Sequence, residues 1–370
     1  MDFSLSAEQA AIQQTFHDFA VREIRPRAQA LDESPEFPRA IFEHVGELGF
    51  FGMRYPEPFG SGADVVSCAL AIEELAWGSL SVAAACTMQS LMGTWFVHRF
   101  GSAELHERLL GPALAGKKIG AICMTEPNAG SDLFSISTTA KLSGDRWLIS
   151  GSKTWVTSAP VADFFTVFAR TGKETLGVFL IERGAEGLEL GRPIEKMGVR
   201  SSVTSEVHLS EVPATAALGD PESGTKYLRE ILAEIRVVTA ALALGVGRAA
   251  YEEAKRYASE RQQFGKPIDR FQAVQEHLAE MATDLEAARR MTHWAAWRSD
   301  QKLPNTREAS MAKLFASEAA NRVCDRAARV AASYGFAAES PIQRYLRDAR
   351  FVLIGGGTSE ILRVNIARES

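Results

Sequence analysis

The chain has 370 residues, 46% of them hydrophobic and 24% charged, with a formal net charge of -5. That length allows two or three separately cored domains, and the mild acidity supplies no long-range attraction for nucleic acid or an anionic membrane surface, so an anionic ligand must be met by local donors. The four cysteines, Cys68, Cys86, Cys123 and Cys324, form no C-x-x-C pair and lie in no His-rich stretch, which excludes an ordinary metal motif and reads as a reducing, cytoplasmic setting.

The start, Met1 to Leu5, has an acid and lacks the basic residues and apolar run of an export signal. Ser6 and Gln9 make a capping-box pattern, and Ile12, Phe16, Phe19 and Ala20 share one helical face that Pro26 limits. Helical spacing returns over 40–48, 65–76 and 81–100, with the turn-rich Tyr55 to Gly62 between. After Gly116 the pattern changes to β-branched and aromatic runs at 119–124, 135–142, 147–150, 154–157, 164–169 and 177–181. Ser143-Gly144-Asp145 between two of them is a hairpin signal. From Ser223 long helices resume, with turns near Gly265, Pro304 and Pro341. The apolar run Val237 to Val246 is too short to span a bilayer and reads as a buried helix. The organisation predicted is helical over 1–115, β over 116–222, and a four-helix set over 223–370.

Thr125-Glu126-Pro127-Asn128-Ala129-Gly130-Ser131-Asp132 is a strand end running into a loop of small residues, able to present backbone amides to an anion. Some twenty residues on comes Ser152-Lys153-Thr154-Trp155-Val156-Thr157, then Glu260-Arg261-Gln262-Gln263-Phe264-Gly265 with Phe271-Gln272, and finally Arg347-Asp348-Ala349 and Gly357-Thr358-Ser359-Glu360. In that order these segments resemble the acyl-CoA dehydrogenase family, and the resemblance runs over essentially the whole chain. It implies a mainly α fold with a central β domain, namely an N-terminal helical domain, a middle β-barrel or sandwich and a C-terminal four-helix bundle, with FAD as cofactor and a homotetramer or homodimer. By the same resemblance Cys123, Thr125, Gly130 and Ser131 hold the flavin and part of its pyrophosphate, Trp155 packs on the isoalloxazine, and Thr157 faces its N5. Arg261, Phe264 and Gln272 would serve the FAD of a neighbouring subunit, and Thr358 and Glu360 would lie near the adenosine. The plainer readings stand beside these: Trp155 as core, Arg261 as a helix-end charge, Thr358 as a helix cap.

The chain departs from the family at the catalytic base. Removing an α-proton from an acyl thioester needs a carboxylate against the α-carbon. One familiar position is Gly356, inside Ile354-Gly355-Gly356-Gly357, and the other is Ile235, before Arg236. Glu234 is the nearest substitute, although one helical step turns a side chain by about 100 degrees. Gly355 and Gly356 with Arg236 are the expected substrate contacts, the glycines giving room for a bulky or polar acyl group or an anion-binding nest.

The function expected is an FAD-dependent oxidoreductase of an acyl thioester on CoA or on an acyl carrier protein, as in the acyl-ACP dehydrogenases of polyketide extender-unit biosynthesis, with a flavoprotein as electron acceptor. A flavin monooxygenase of the same fold and a non-catalytic thioester-binding relative are the alternatives. Arg322, Arg326, Arg329, Arg344, Arg347 and Arg350 are interleaved with Asp325 and Asp348, which reads as ion pairs and a subunit interface rather than a nucleic-acid face. Neither a metal nor a membrane is expected.

Overall fold

The computed structural model describes residues 4–369, so the Met1–Phe3 part of the N-terminal reading lies outside the described residues. Helix α1 (Ala7–Phe19) opens on the expected capping box: the Ser6 hydroxyl accepts from Gln9 N while the Gln9 side chain accepts from Ser6 N. Phe16, Phe19 and Ala20 of its apolar face are buried. Helix α2 (Val65–Gly78), capped by the Asp64 carboxylate, and helix α3 (Leu80–Thr87) form the buried part of this half. The single helix expected over 81–100 is instead α3, a wider π turn at Met88–Gly93, and a last piece at Trp95–Phe100. The loosening falls where the β domain approaches, since a Cβ on Gly93 would stand 2.5 Å from Gly120 O. Leu80–Phe100 is long and apolar enough to cross a membrane by composition, but 83% of its most apolar window is buried inside the molecule.

The middle is one sheet of eight strands. Strand β1 (Gly120–Cys123) runs parallel to β4 (Phe164–Arg170), and the rest follow the order β6 (Leu188–Leu190), β7 (Thr204–Pro213), β3 (Arg146–Thr157), β2 (Thr139–Ser143), β4, β5 (Leu176–Glu182), β8 (Ala216–Ala217). The expected hairpin forms with Ser143 opposite Arg146 and Gly144 at φ 64 in its tip. Strand β2 begins four residues later than its apolar run suggests, because the Glu126 carboxylate takes the Ser137 and Thr138 amides that the ladder would use. The runs at 147–150 and 154–157 are one strand, β3, carried past two register irregularities. Strand β7 was missed, although its alternation is visible afterwards in the buried Val207, Leu209 and Val212.

Helix α4 (Gly224–Glu260) is the axis of the last part, with α5 (Gln272–Asp300), α6 (Thr306–Ala331) and α7 (Pro341–Val352) packed on it and α8 (Ser359–Arg368) on α6. Its residues 237–246 are all buried because α2 covers the side that α5 and α6 leave open. At about 1.5–3 kcal/mol for each large apolar side chain removed from water, this run is a major source of cohesion. Close approach is enforced at Gly245, where a Cβ would stand 2.4 Å from Glu73 O. The carboxylates Glu73 and Glu74, buried on α2, are answered by Arg248 of α4 and, for Glu73, by Arg289 of α5.

Candidate active site

The loop after β1 is held from beneath by a buried ion pair. Glu126 is 3% exposed, and its carboxylate accepts from Ser137 N (2.6 Å), Ser137 Oγ (2.7 Å), Thr138 N (3.0 Å) and Lys153 Nζ (2.8 Å). Burial alone would raise its pKa, but the hydrogen bonds from Lys153, Thr138 and Ser137 outweigh that and hold it at about 2. Lys153 is fully buried and also donates to Met124 O at 3.2 Å. The spacing of Glu126 and Lys153 in the sequence gave no sign that they meet, so this pair was missed.

With the loop pinned, Thr154 N donates to Thr125 O at 2.9 Å and brings the first two motif segments side by side. Trp155 then stands out of the strand at φ 57, 57% exposed, at the register irregularity between Lys153 and Val156. An indole in a left-handed conformation and turned to solvent is an unfavourable core residue, so the plain core reading fails. Thr157 is half-buried opposite Thr204, and Gly130 and Ser131 are exposed, with only Thr125 Cγ2 within 4.0 Å of a Cβ built on Gly130. The Cys123 side chain faces the core, where burial pushes its thiol up to about 12, so it offers its backbone alone to a ligand. An uncovered aromatic ring beside a small-residue loop with free hydroxyls fits a flat, phosphate-bearing cofactor such as FAD.

Arg261, Phe264 and Gln272 lie apart from that site. Arg261 and Phe264 line a cavity of about 380 Å³ whose wall comes entirely from residues between Tyr257 and Tyr334. Phe264 is 93% exposed at φ 50, the Arg261 guanidinium lies 5.8 Å from the Tyr334 ring centroid, and Gln272, at the start of α5, is exposed. Thr358 caps α8 by accepting from Ile361 N at 3.4 Å, and the exposed Glu360 lies 3.6 Å from Arg363.

The two familiar base positions converge on one spot. Gly356 has φ 73, and a Cβ there would stand 2.7 Å from Thr239 Oγ1 and 3.4 Å from Ile235 Cγ2. Glu234 is engaged elsewhere, with its Oε2 2.7 Å from Arg54 of the N-terminal half. Burial pulls the Arg54 pKa down, but the Glu234 charge more than offsets this, so the pair is a mutual counter-ion arrangement. On the other side of α4, Arg236 donates to Ser310 Oγ at 3.2 Å, and Lys313 Nζ donates to Gly357 O at 2.6 Å. Arg54 and Lys313 were not singled out by the sequence, because nothing local in it places them beside the glycine turn. Among the described residues no group of three or more His, Cys, Asp or Glu side chains is arranged for a metal.

Three family models match in chain order: the acyl-CoA dehydrogenase N-terminal domain over residues 6–117, its middle domain over 121–212 and its C-terminal domain over 222–370. The chain is 58% identical over 374 residues to a benzylmalonyl-CoA dehydrogenase of Aromatoleum aromaticum, covering 100% of this chain and 99% of the relative. Among solved structures it is similar to the butyryl-CoA dehydrogenase of Megasphaera elsdenii, with TM-score 0.96, 33% identity, and 100% and 99% of the two chains covered. The prolyl acyl carrier protein oxidase AnaB matches at TM-score 0.94 and 32% identity over 99% of each chain.

Proposed function

This chain belongs to the acyl-CoA dehydrogenase family, and within it we propose that it oxidises a thioester whose α-carbon bears a carboxylate, releasing CO2 where its relatives remove a proton. The observation that carries the reading is that Gly356, which has no side chain, and the hydrocarbon side chain of Ile235 meet at the spot where a base belongs, with Glu234 paired to Arg54. FAD-dependent acyl-CoA oxidation is the property of the family; Thr125, Ser131, Trp155 and Thr157 would hold the FAD, which would supply the acceptor for the β-hydrogen. Thioester oxidation still needs an electron pair at the α-carbon. In a malonyl-type thioester the α-carbon to carboxylate bond supplies it: the bond breaks, CO2 leaves, and its electrons form the α,β double bond as the β-hydride departs. No α-proton has to be taken, so no base is needed.

The chain's own residues then bind and orient. The glycine turn leaves the volume beside Ile235 and Thr239 to the substrate, and the apolar Ile235 keeps water from the α-carbon so that the electron pair is not quenched by a proton. Similarity to a benzylmalonyl-CoA dehydrogenase supports CoA as the carrier and an arylmethyl group as the α-substituent. The exposure of Phe264 and its separate cavity support an assembly, read as a homotetramer, in which Arg261, Phe264 and Gln272 serve a neighbour's FAD. Four free, buried thiols suit a reducing cytoplasm. A flavoprotein is the proposed electron acceptor.

The test is anaerobic mixing of the holoenzyme with benzylmalonyl-CoA and with its descarboxy analogue, 3-phenylpropionyl-CoA. Expected are flavin bleaching and one CO2 from the first, and bleaching at least about a hundredfold slower from the second, the usual worth of a missing general base. Equal bleaching by both would mean that a base is present and would sink the reading.

A further inference from the structure

Among the buried charges packed around α4, two cations stand beside the glycine turn without an ion pair. Arg54 has Glu234, Lys153 has Glu126, and Arg248 has Glu73 and Glu74. Arg236 (6% exposed) and Lys313 (fully buried) have no carboxylate within 4 Å among the described residues. Their neutral partners leave them incomplete: Arg236 Nε is buried with no acceptor, and Lys313 uses one of its three N–H donors on Gly357 O. Ser359 Oγ, two residues beyond Gly357, is also buried without a partner. Ser310 and Lys313 are one turn apart on α6, so Arg236, reaching Ser310, and Lys313, reaching Gly357, border one side of the glycine turn. A buried cation without a counter-charge is costly, and two together more so, unless an anion arrives to complete them.

We propose that Arg236 and Lys313 form the receptor for the α-carboxylate of a malonyl-type thioester, reached across the space that Gly356 leaves open. This inference rests on the decarboxylative reading above and names the groups that select its substrate. Two cations that share no carboxylate hold the anion before reaction and lose their grip once it departs as neutral CO2, which lets the product thioester leave. Arg54 is excluded from the role because Glu234 already neutralises it.

The experiment is calorimetric titration of the holoenzyme with malonyl-CoA, which has no β-hydrogen and so cannot be oxidised, against acetyl-CoA. The wild type is expected to bind malonyl-CoA at least about tenfold more tightly, as charge-assisted hydrogen bonds imply. Lys313→Met and Arg236→Met are each expected to bring that ratio close to one by weakening malonyl-CoA binding far more than acetyl-CoA binding, and to melt no lower than the wild type, because each removes a buried polar group whose hydrogen bonds are incomplete. A ratio near one in the wild type, or an unchanged ratio in both variants, overturns the site. If the variants do not hold flavin, proton uptake decides on the wild type alone. Burial pushes Lys313 down to about 7 in the company of Arg236 from α4, Glu318 from α6 and Glu360 from α8. Malonyl-CoA binding at pH 8, run in two buffers of different ionisation enthalpy, is then expected to take up a proton, with acetyl-CoA taking up none; equal uptake overturns the proposal. Variants that keep the ratio yet release CO2 from benzylmalonyl-CoA sink the site and leave the reaction, whereas a wild type that prefers malonyl-CoA but releases no CO2 keeps the site and sinks the reaction.

Discussion

Two lysines, both fully buried, mark the difference between the proposed cofactor side of this molecule and the proposed substrate side. Lys153 meets the Glu126 carboxylate at 2.8 Å, and Lys313, among the described residues, meets only the Gly357 carbonyl at 2.6 Å. Burial pushes both amines down, Lys313 to about 7. The first site is electrically complete in the protein alone and serves to shape a loop. The second is left open, and so it is the side where a charged ligand belongs. The distinction is one of counter-ions rather than of residue type, which is why it becomes visible only in three dimensions.

The comparison breaks most readily at Glu126→Gln. That change leaves Lys153 buried without its charge, and truncating one partner of a buried pair costs about 3–5 kcal/mol. Urea unfolding should show that loss together with weaker flavin retention; a variant as stable as the wild type would mean that Lys153 is neutral in the fold. The pH dependence follows from the depressed Glu126 carboxyl. Its contribution is fully present above the ordinary carboxylate range near 4.5 and is lost as pH falls through about 2. In Glu126→Gln that part of the acid transition should disappear.

Most of the fold was legible because its signals are local. The Ser6–Gln9 capping box, the Gly144 hairpin tip and the apolar run of α4 each report on neighbouring residues. The flavin segments were legible by wording alone, since nothing in the spacing of Thr125 and Trp155 says that Thr154 N reaches Thr125 O. The vacant base positions were visible as Gly356 and Ile235, but their convergence on one spot is tertiary. Strand β7, the Glu126–Lys153 pair and the cations Arg54 and Lys313 were out of reach for a shared reason: each is defined by a partner far along the chain.

Gly356→Glu sharpens the comparison from the substrate side by placing a carboxylate where the proposed substrate brings its own. The added Cβ would stand 2.7 Å from Thr239 Oγ1 at a backbone φ of 73, so the turn must shift. Turnover of a malonyl-type thioester is expected to fall by about a hundredfold, the scale of a misplaced reacting group. Stopped-flow bleaching would measure it, and undiminished turnover would show that the glycine does not border the acyl group.

Glu234→Gln comes next. A lost general base costs about 10²–10⁴ in rate, whereas a lost counter-ion costs stability, here about 1–3 kcal/mol because Arg54 keeps its charge in a mostly buried setting. The expected result is a lower melting temperature with kcat within about threefold of the wild type. A collapse of kcat at unchanged stability would return Glu234 to the role of base.

The smallest effect is expected at Thr358, and it separates scaffold from cofactor contact. Its hydroxyl accepts from Ile361 N at the start of α8, an ordinary cap whose replacement by Ala costs about 1 kcal/mol. Thr358→Ser preserves the acceptor and should restore that stability. If Thr358 also bears on FAD, Thr358→Ala will weaken flavin binding beyond what the lost stability explains, as dialysis against graded flavin would show. Flavin loss that tracks stability alone leaves Thr358 as a cap, and confines the cofactor contacts of this chain to the side that Glu126 and Lys153 hold in shape.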